Sequence, residues 1–476
     1  MEVAYSNQCR TVPGPLSDCK PELDGPEAAI LINGSPWAVI WHMSWPLTLN
    51  MLALALMNLF EGWIAGRLGA DAQAAMGIGG QLWFLFMMMT LALSAGTTAV
   101  VSRFCGAGDI QSAVQAGRQS LLCALLLSSG ATIFGLLMCR FVLHSLGASH
   151  LVEEQGVVYL NMCLLSMVPY TALWITNSIF RASGDAYTPM ITMILVFGLI
   201  MLCELVLCVG PINLGIKGIG ISWILCSALG VVLNVVKMKR SSLGAVCDWR
   251  AMLCDGMSLS WARRFLIVGI PSCIQDLALI GGSLGVFLVL SKIPQPLISQ
   301  AAWAAGWRLE ETLTLMPMYG LNLAAAAIVG QNLGAGKPER ASSCGWRVMA
   351  LGAAVNIFVA LAMATQAPHI AALLCANDAV ASSCTEYLRI VCWTEPLFAC
   401  WRILSGAMQG AGYTCVPMFA TVFSFAILRI SLAVLFLHLS HGAAIGVWVS
   451  MAASTVVAGL IMTYFWHRGK WQSQPV

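Results

Sequence analysis

The feature that most constrains this chain is a succession of long apolar runs almost free of charge. A helix needs about 20 apolar residues to cross the hydrocarbon core of a bilayer. Runs of that length recur at 37–64, 72–102, 112–139, 155–181, 188–210 and 216–237, and a second set follows at 265–291, 300–332, 342–366, 384–408, 415–438 and 443–466. Only 9% of the 476 residues are charged, where a soluble domain carries about 25%. With 59% hydrophobic residues the apolar side chains cannot all be hidden in one water-soluble core. The pattern excludes a soluble enzyme and predicts an all-α integral membrane protein of twelve transmembrane helices.

The eighteen cysteines, among them Cys123, Cys203, Cys226 and Cys392, lie mostly within apolar helical stretches, where cysteine behaves as a small hydrophobe. No Cys-x-x-Cys pair occurs, and His438 with His441 forms a lone His-x-x-His without further ligands, so no metal site is expected. A formal charge of +3 is too small to imply a nucleic-acid partner. Residues 1–36 are polar, rich in Pro and Gly and lean acidic through Glu2, Asp18, Glu22, Asp24 and Glu27. A secretory signal has a basic start followed by an apolar core, so this segment reads instead as a poorly ordered tail.

Orientation follows from Lys and Arg in the short connections. Those after even-numbered spans, with the C-terminus, hold fourteen, including Arg103, Arg118, Arg181, Lys337 and Arg340. Those after odd-numbered spans hold four: Arg67, Arg140, Lys217 and Lys292. Both termini are predicted to be cytoplasmic.

An internal repeat is visible at an offset of 228 residues: Gly106-Ala107-Gly108 returns as Gly334-Ala335-Gly336 and Pro189-Met190 as Pro417-Met418, while Gly184 maps onto Gly412 and Gly218 onto Gly446. Each copy holds an even number of spans, so both enter the membrane in the same direction and are related by an axis along its normal. The expected organisation is a polar cytoplasmic tail (1–36), a six-helix lobe (37–240), a connector (241–262), a second six-helix lobe (263–468) and a short tail (469–476), with a cleft between the lobes. The Gly-Ala-Gly turns read as helix C-caps. A phosphate loop requires a preceding strand and, in its commoner form, a lysine.

Few acids remain inside the spans: Glu61 in the first, Glu204 in the fifth, Asp276 in the seventh, and Glu310 and Glu311 in the eighth. An ionisable group at membrane depth is by default a candidate for an ion or proton pathway. Glu204 lies six residues before Gly210, about 9 Å below the outer end of its span. Ser222 sits at a similar depth on the next span, and Glu61 lies in the outer half of the first. At the repeat offset Glu61 falls on Val289 and Glu204 on Leu432, so these acids are a speciality of the first lobe. Two carboxylates close together in poorly hydrated surroundings cannot both ionise easily, so such a pair can load and release a proton. Joined by Ser222, the same oxygens can hold a small cation, but with few ligands. Glu310 and Glu311 adjoin Arg308 and read as local charge pairing, while Asp276, five residues after Pro271, is a candidate lining residue of the second-lobe cavity, as is Glu310. Pro46 removes one backbone hydrogen bond from the first span and predicts a kink or gating hinge.

Over nearly all of residues 37–468 the chain resembles the multidrug and toxic compound extrusion (MATE) transporters. The resemblance rests on Pro46 followed by Phe60-Glu61-Gly62-Trp63-Ile64-Ala65-Gly66-Arg67-Leu68-Gly69, on Phe180-Arg181-Ala182-Ser183-Gly184-Asp185 leading to Pro189, on Arg308-Leu309-Glu310, and most specifically on Ile328-Val329-Gly330-Gln331-Asn332-Leu333-Gly334-Ala335-Gly336. It implies a twelve-helix antiporter that exports organic, often cationic, compounds while a proton or sodium ion enters. The prokaryotic branches are the most similar, and the first-lobe acids are closest to DinF-like members. By position, Glu61 and Glu204 stand where those members usually have Asp, Ser222 where Thr is common, and Tyr159 and Asn177 match polar positions of the same site. Ile200 departs from the pattern, because an Asn oxygen is expected there, and its loss favours protons over sodium. The acid that NorM-like members carry in the middle of the tenth span is absent from Gly406 to Gly410.

The expected function is secondary active export of amphipathic cations by alternating access, coupled to inward proton flow at Glu61, Glu204, Ser222, Tyr159 and Asn177. No cofactor, catalytic residue or metal is called for. The expected setting is a monomer in a bacterial inner membrane whose partners are the lipid bilayer and a small organic substrate. A sodium-coupled exporter of the same fold is the nearest alternative. A lipid-linked precursor flippase requires several bases at depth to meet pyrophosphate, and only Arg308, Arg389, Arg402 and Arg429 are available, all in the second lobe. An integral-membrane transferase requires clustered catalytic acids or histidines, which the short loops lack.

Overall fold

Inside a bilayer every backbone polar group has to be satisfied within the protein, and the sequence meets that demand with long helices punctuated by specific caps. A computed structural model of the chain describes residues 31–145, 150–440 and 442–474; His441 and residues 1–30 of the N-terminal tail lie outside them. The first lobe comprises α1 (Pro36–Leu68), α2 (Ala70–Gly106), α3 (Ile110–Ser145), α4 (His150–Ser183), α5 (Tyr187–Glu204) and α6 (Ile216–Met238). A short helix, α7 (Trp249–Asp255), lies in the connector. The second lobe comprises α8 (Leu259–Leu290), α9 (Pro296–Glu310), α10 (Met316–Gly334), α11 (Pro338–Leu374), α12 (Asp378–Val391), α13 (Glu395–Gly410), α14 (Cys415–Thr421), α15 (Arg429–Leu439) and α16 (Ile445–His467).

Eleven of the described helical stretches are long and apolar enough to span a membrane. The remaining stretch, α12 with α13, is divided by a 3-10 turn at Cys392–Thr394 and completes the set of twelve. The helices run past the apolar cores seen in sequence: α2, for example, extends through Ser102 to Gly106.

The repeat is written into the backbone. Gly108 and Gly336 have φ of 76° and 69°, and Gly184 and Gly412 have φ of 103° and 75°, conformations that glycine adopts without steric cost. Around them the same closing bonds recur at the same offset: Asp109 N donates to Phe104 O (3.0 Å) and Lys337 N to Asn332 O (2.9 Å), while Asp185 N donates to Phe180 O (3.0 Å) and Tyr413 N to Met408 O (2.9 Å). These are Schellman-type closures, which satisfy the last carbonyls of a helix.

Among the described residues three wider π turns interrupt the spans: Leu205–Val209 after Glu204, Glu311–Leu315 between α9 and α10, and Val422–Leu428 before Arg429. Helix α1, by contrast, runs without interruption through Pro46.

The lobes meet in the half of the bundle nearest the termini. There α2 packs against α8 and α10, and α1 against α10. The contacts are close because small residues let backbones approach: a Cβ at Gly106 would collide with the Gln331 carbonyl, and one at Gly334 with that of Arg103. The two pairs are related by the repeat. The largest core cluster spans this seam, joining Val39, Met43 and Leu47 of α1 to Leu321 and Ile328 of α10 and Trp401 of α13.

The end of the N-terminal tail is held here rather than loose. Leu31 is fully buried, Lys337 Nζ donates to Asn33 Oδ1 (3.0 Å), and Arg340 Nη2 donates to Gly34 O. The connector also folds back on the first lobe, where Gln119 donates to Gly256 O (2.8 Å) and accepts from Ser258 N (3.0 Å). Farther from the termini, α9 packs on helices of its own lobe, and the two lobes part around a cavity.

Candidate functional site

The cavity has a volume of about 560 Å³ and is lined by both lobes. One wall is a single stripe of α4: Tyr159, Cys163, Ser166, Tyr170 and Trp174 follow one another at spacings of three or four and therefore share a helix face. The lining also includes Trp83 and Met87 of α2, Asp276 and Ser283 of α8, and Trp303 and Trp307 of α9. Trp83, Tyr170 and Trp223 form a closed aromatic set, with centroids 5.2 Å apart for Tyr170 and Trp223 and 5.8 Å for Trp83 with either. Trp303 and Trp307, one turn apart, stack at 6.0 Å.

Glu61 lines this cavity from α1. Tyr159 directs its hydroxyl at Glu61 Oε1, 3.5 Å away. Glu204, at the end of α5, is completely buried, and neither of its oxygens has a hydrogen-bond partner among the described residues. Glu61, Glu204, Tyr159 and Cys163 lie within electrostatic range of one another. Lys217 makes no ion pair with Glu204 among the described residues.

The structure therefore gathers Glu61, Glu204 and Tyr159 into one cluster, of which Glu61 and Tyr159 line the cavity and Glu204 is buried out of it. Ser222 is fully buried on the neighbouring α6 and donates its proton to Gly218 O at 2.8 Å. Asn177 lies elsewhere. It is eighteen residues along α4 from Tyr159, about 27 Å, and accepts from Asn234 Nδ2 (2.8 Å) in a network with Thr176 and Thr192 that ties α4, α5 and α6 together. Ile200, fully buried, packs in the same apolar cluster as Tyr159 and Cys163.

In the second lobe Asp276 lines the cavity and is paired. Arg402 Nη1 lies 3.2 Å from Asp276 Oδ1, and Tyr319 donates to Oδ2 at 3.3 Å. The guanidinium also lies over the Tyr319 ring, 3.9 Å from its centroid.

The two adjacent glutamates of the eighth span point in different directions, as neighbouring helical residues do. Glu311 lines the cavity and feels Arg308. Glu310 is buried and faces Tyr387 and Arg429, so its neighbours differ from the Arg308 pairing expected from the sequence.

The tenth span also carries an acid that the sequence reading passed over. Glu395 is buried and accepts from Asn356 Nδ2 at 3.4 Å. It lies in the middle of the run 384–408, where a new helix starts straight after the 3-10 turn. Arg402 and Arg429 were visible as bases, but nothing local marked their partners, which come from other helices. The α4 stripe was detectable, because three-and-four spacing of Tyr, Cys, Ser and Trp is an amphipathic face within an otherwise apolar helix.

Twelve helices in two repeated lobes, with a cavity at their interface and ionisable groups in its wall, define a membrane transporter. The sequence pattern of the MatE family matches residues 46–206 and 271–435. The chain belongs to that family and is a multi-pass membrane transporter rather than an enzyme. Among curated relatives it is 22% identical over 442 residues to a probable multidrug resistance protein NorM of Thermotoga maritima, covering 90% of this chain and 91% of the relative. It is 24% identical over 318 residues to a FAD transporter of Shewanella oneidensis, covering 65% of this chain and 68% of the relative. Among solved structures, a crystal structure of MATE in complex with MaL6 superposes with a TM-score of 0.87 at 21% identity, covering 93% of this chain and 98% of the other.

Proposed function

We propose that the protein exports amphipathic organic cations, coupling their exit to inward movement of protons through Glu61 and Glu204. The observation that carries this reading is a fully buried Glu204, both oxygens without a hydrogen-bond partner among the described residues, within electrostatic range of Glu61, which itself lines an aromatic cavity. A bare carboxylate is costly at membrane depth, and a bound proton removes that cost. A sodium ion would need more oxygen ligands than this cluster offers: Ile200 and Cys163, which pack in the neighbouring apolar cluster, bring no side-chain oxygen to it.

The aromatic faces attract cations, and Glu61 and Glu311 supply negative charge to the same cavity. In the cell we place both termini in the cytoplasm and the protein, as a monomer, in the inner membrane. The seam near the termini is then the closed cytoplasmic side, and the cavity belongs to the outward-facing state. Release outward accompanies protonation of the Glu61 and Glu204 cluster, and return to the inward-facing state restores the charge that attracts the next cation.

Efflux of a fluorescent organic cation from proteoliposomes tests this assignment. An imposed pH gradient is expected to drive transport and a sodium gradient alone is not, and the double substitution Glu61→Gln with Glu204→Gln is expected to abolish the pH-driven component. Full activity of that double variant, or transport driven by sodium at equal pH, overturns the coupling assignment.

A further inference from the structure

Beneath the main cavity lies a second, much smaller space of about 30 Å³. The two are contiguous, because Leu91, Trp174, Asp276 and Tyr319 line both. The small space differs from the cavity above it in chemistry. Its wall is rich in hydrogen-bond donors: Arg402, Thr98, Gln409 and Asn322 all contribute.

Two of those donors are unpartnered. Arg402 is only 2% exposed, and its Nε has no hydrogen-bond partner among the described residues; its bond to Asp276 uses Nη1. Thr98 is 3% exposed, and its hydroxyl likewise has none. A buried donor left unmade costs free energy, and an arginine presents its donors in a fixed fork suited to a carboxylate or phosphate. Asn322 and Gln409 are already engaged, with Arg402 O at 2.7 Å and with Gln275 Oε1 at 3.4 Å. A volume of this size is about a water molecule's share of liquid, so it admits one small polar group and excludes a ring.

We propose that this floor is an anion subsite, in which Arg402 Nε and the Thr98 hydroxyl receive a carboxylate or other small acidic group of the transported molecule. The proposal rests on the export reading above and narrows its substrate class to amphoteric aromatic compounds. The cationic ring system occupies the tryptophan-lined cavity beside Glu61, and the acidic substituent reaches down to Arg402. Asp276 holds one edge of the guanidinium and leaves the other for the ligand. Because Asp276 and Arg402 together are neutral, a ligand that brings its own positive charge adds no net charge to the site, whereas a simple anion does. The subsite therefore selects zwitterions over both simple anions and simple cations.

A matched pair of dyes separates the contributions: tetramethylrhodamine, a zwitterion, and its methyl ester, a monocation of the same shape. Equilibrium binding to the purified full-length protein in detergent needs no ion gradient, so it reads the subsite independently of coupling. The free acid is expected to bind tighter than the ester by on the order of tenfold, the scale of one charge-assisted hydrogen bond. Arg402→Gln is expected to erase that preference, Arg402→Lys to restore part of it, and Thr98→Val to reduce it. Asp276→Asn, which frees the guanidinium, is expected to enlarge it.

Equal affinity of the parent for both dyes overturns the subsite. So does a preference that survives Arg402→Gln in protein that stays monodisperse. If the preference behaves as expected but the pH gradient drives no efflux, the coupling assignment fails and the subsite stands. If the ester is exported and no preference exists, the subsite alone fails.

Discussion

Glu310, Glu395 and Arg429 illustrate how single residues set the terms in the second lobe. The two acids are buried within electrostatic range of each other, and Arg429 is the base that faces Glu310. That guanidinium is fixed by Ser454 Oγ at 2.8 Å and Thr455 Oγ1 at 3.1 Å, and it lies 4.5 Å from the centre of the Phe425 ring. Removing the base that faces a buried acid leaves the acid uncompensated, which is destabilising. Arg429→Met is therefore expected to lower the thermal stability of the purified protein substantially, and adding Glu310→Gln to recover much of the loss. If the double variant is no more stable than Arg429→Met, the two residues do not share a charge balance. In the first lobe, Glu61 and Glu204 were legible because an acid in an apolar run is conspicuous and the repeat showed no counterpart. Their shared cluster with Tyr159 was legible only through helix depth, and the partners of Arg402 and Arg429 were not legible at all, since they lie on other spans.

At the scale of elements, the interruptions matter as much as the helices. Glu204 ends α5 where a π turn begins, Glu310 and Glu311 straddle the start of another, Arg429 follows a third, and Glu395 follows the 3-10 turn of the tenth span. Wider turns of this kind are common at functional sites, because they free backbone groups and re-aim the next side chains. The sequence shows long apolar runs across Leu205–Val209 and Val422–Leu428, with no Gly or Pro to mark the break, so these irregularities were invisible in it. The helix ends near the termini were legible for the opposite reason: glycine at a left-handed position is a strong signal, and it occurs twice at the same offset. Two other glycines of the same turns, Gly106 and Gly334, bring the lobes together. Gly334→Val would force a side chain into the Arg103 carbonyl, and overpacking of this kind costs about 1–3 kcal/mol. Because the clash falls in the seam and not in the cavity, turnover in proteoliposomes is expected to collapse while dye binding in detergent persists within about twofold. Parallel loss of both would mean that the glycine serves general folding rather than lobe closure.

The whole molecule combines a symmetric scaffold with an asymmetric charge distribution. Backbone closures repeat through both lobes, yet Glu61 and Glu204 align with Val289 and Leu432, so the first lobe alone presents an acid pair in this position. The second lobe encloses Glu310 and Glu395 with Arg429 and offers the cavity an acid, Asp276, already paired with Arg402. Glu61 thus stands in a cavity whose opposite wall is partly neutralised, and in our reading a proton and a cationic substrate compete for it. The sign of the resulting pH dependence follows directly. Lowering the pH adds a proton to the Glu61 and Glu204 cluster, removes negative charge from the cavity and weakens binding of a cation; raising the pH strengthens it. For the methyl ester dye, affinity of the detergent-purified protein is expected to fall as the pH is lowered from alkaline to mildly acidic, and Glu61→Gln is expected to flatten the dependence near its acidic limit. Tyr159→Phe removes the hydroxyl directed at Glu61 and is expected to shift the midpoint without abolishing the dependence, because hydrogen bonding to the charged form stabilises it. A parent whose affinity is independent of pH would separate the proton from the substrate, and a dependence that survives Glu61→Gln together with Glu204→Gln would move their coupling from this cluster to another acid, such as Glu311 of the same cavity.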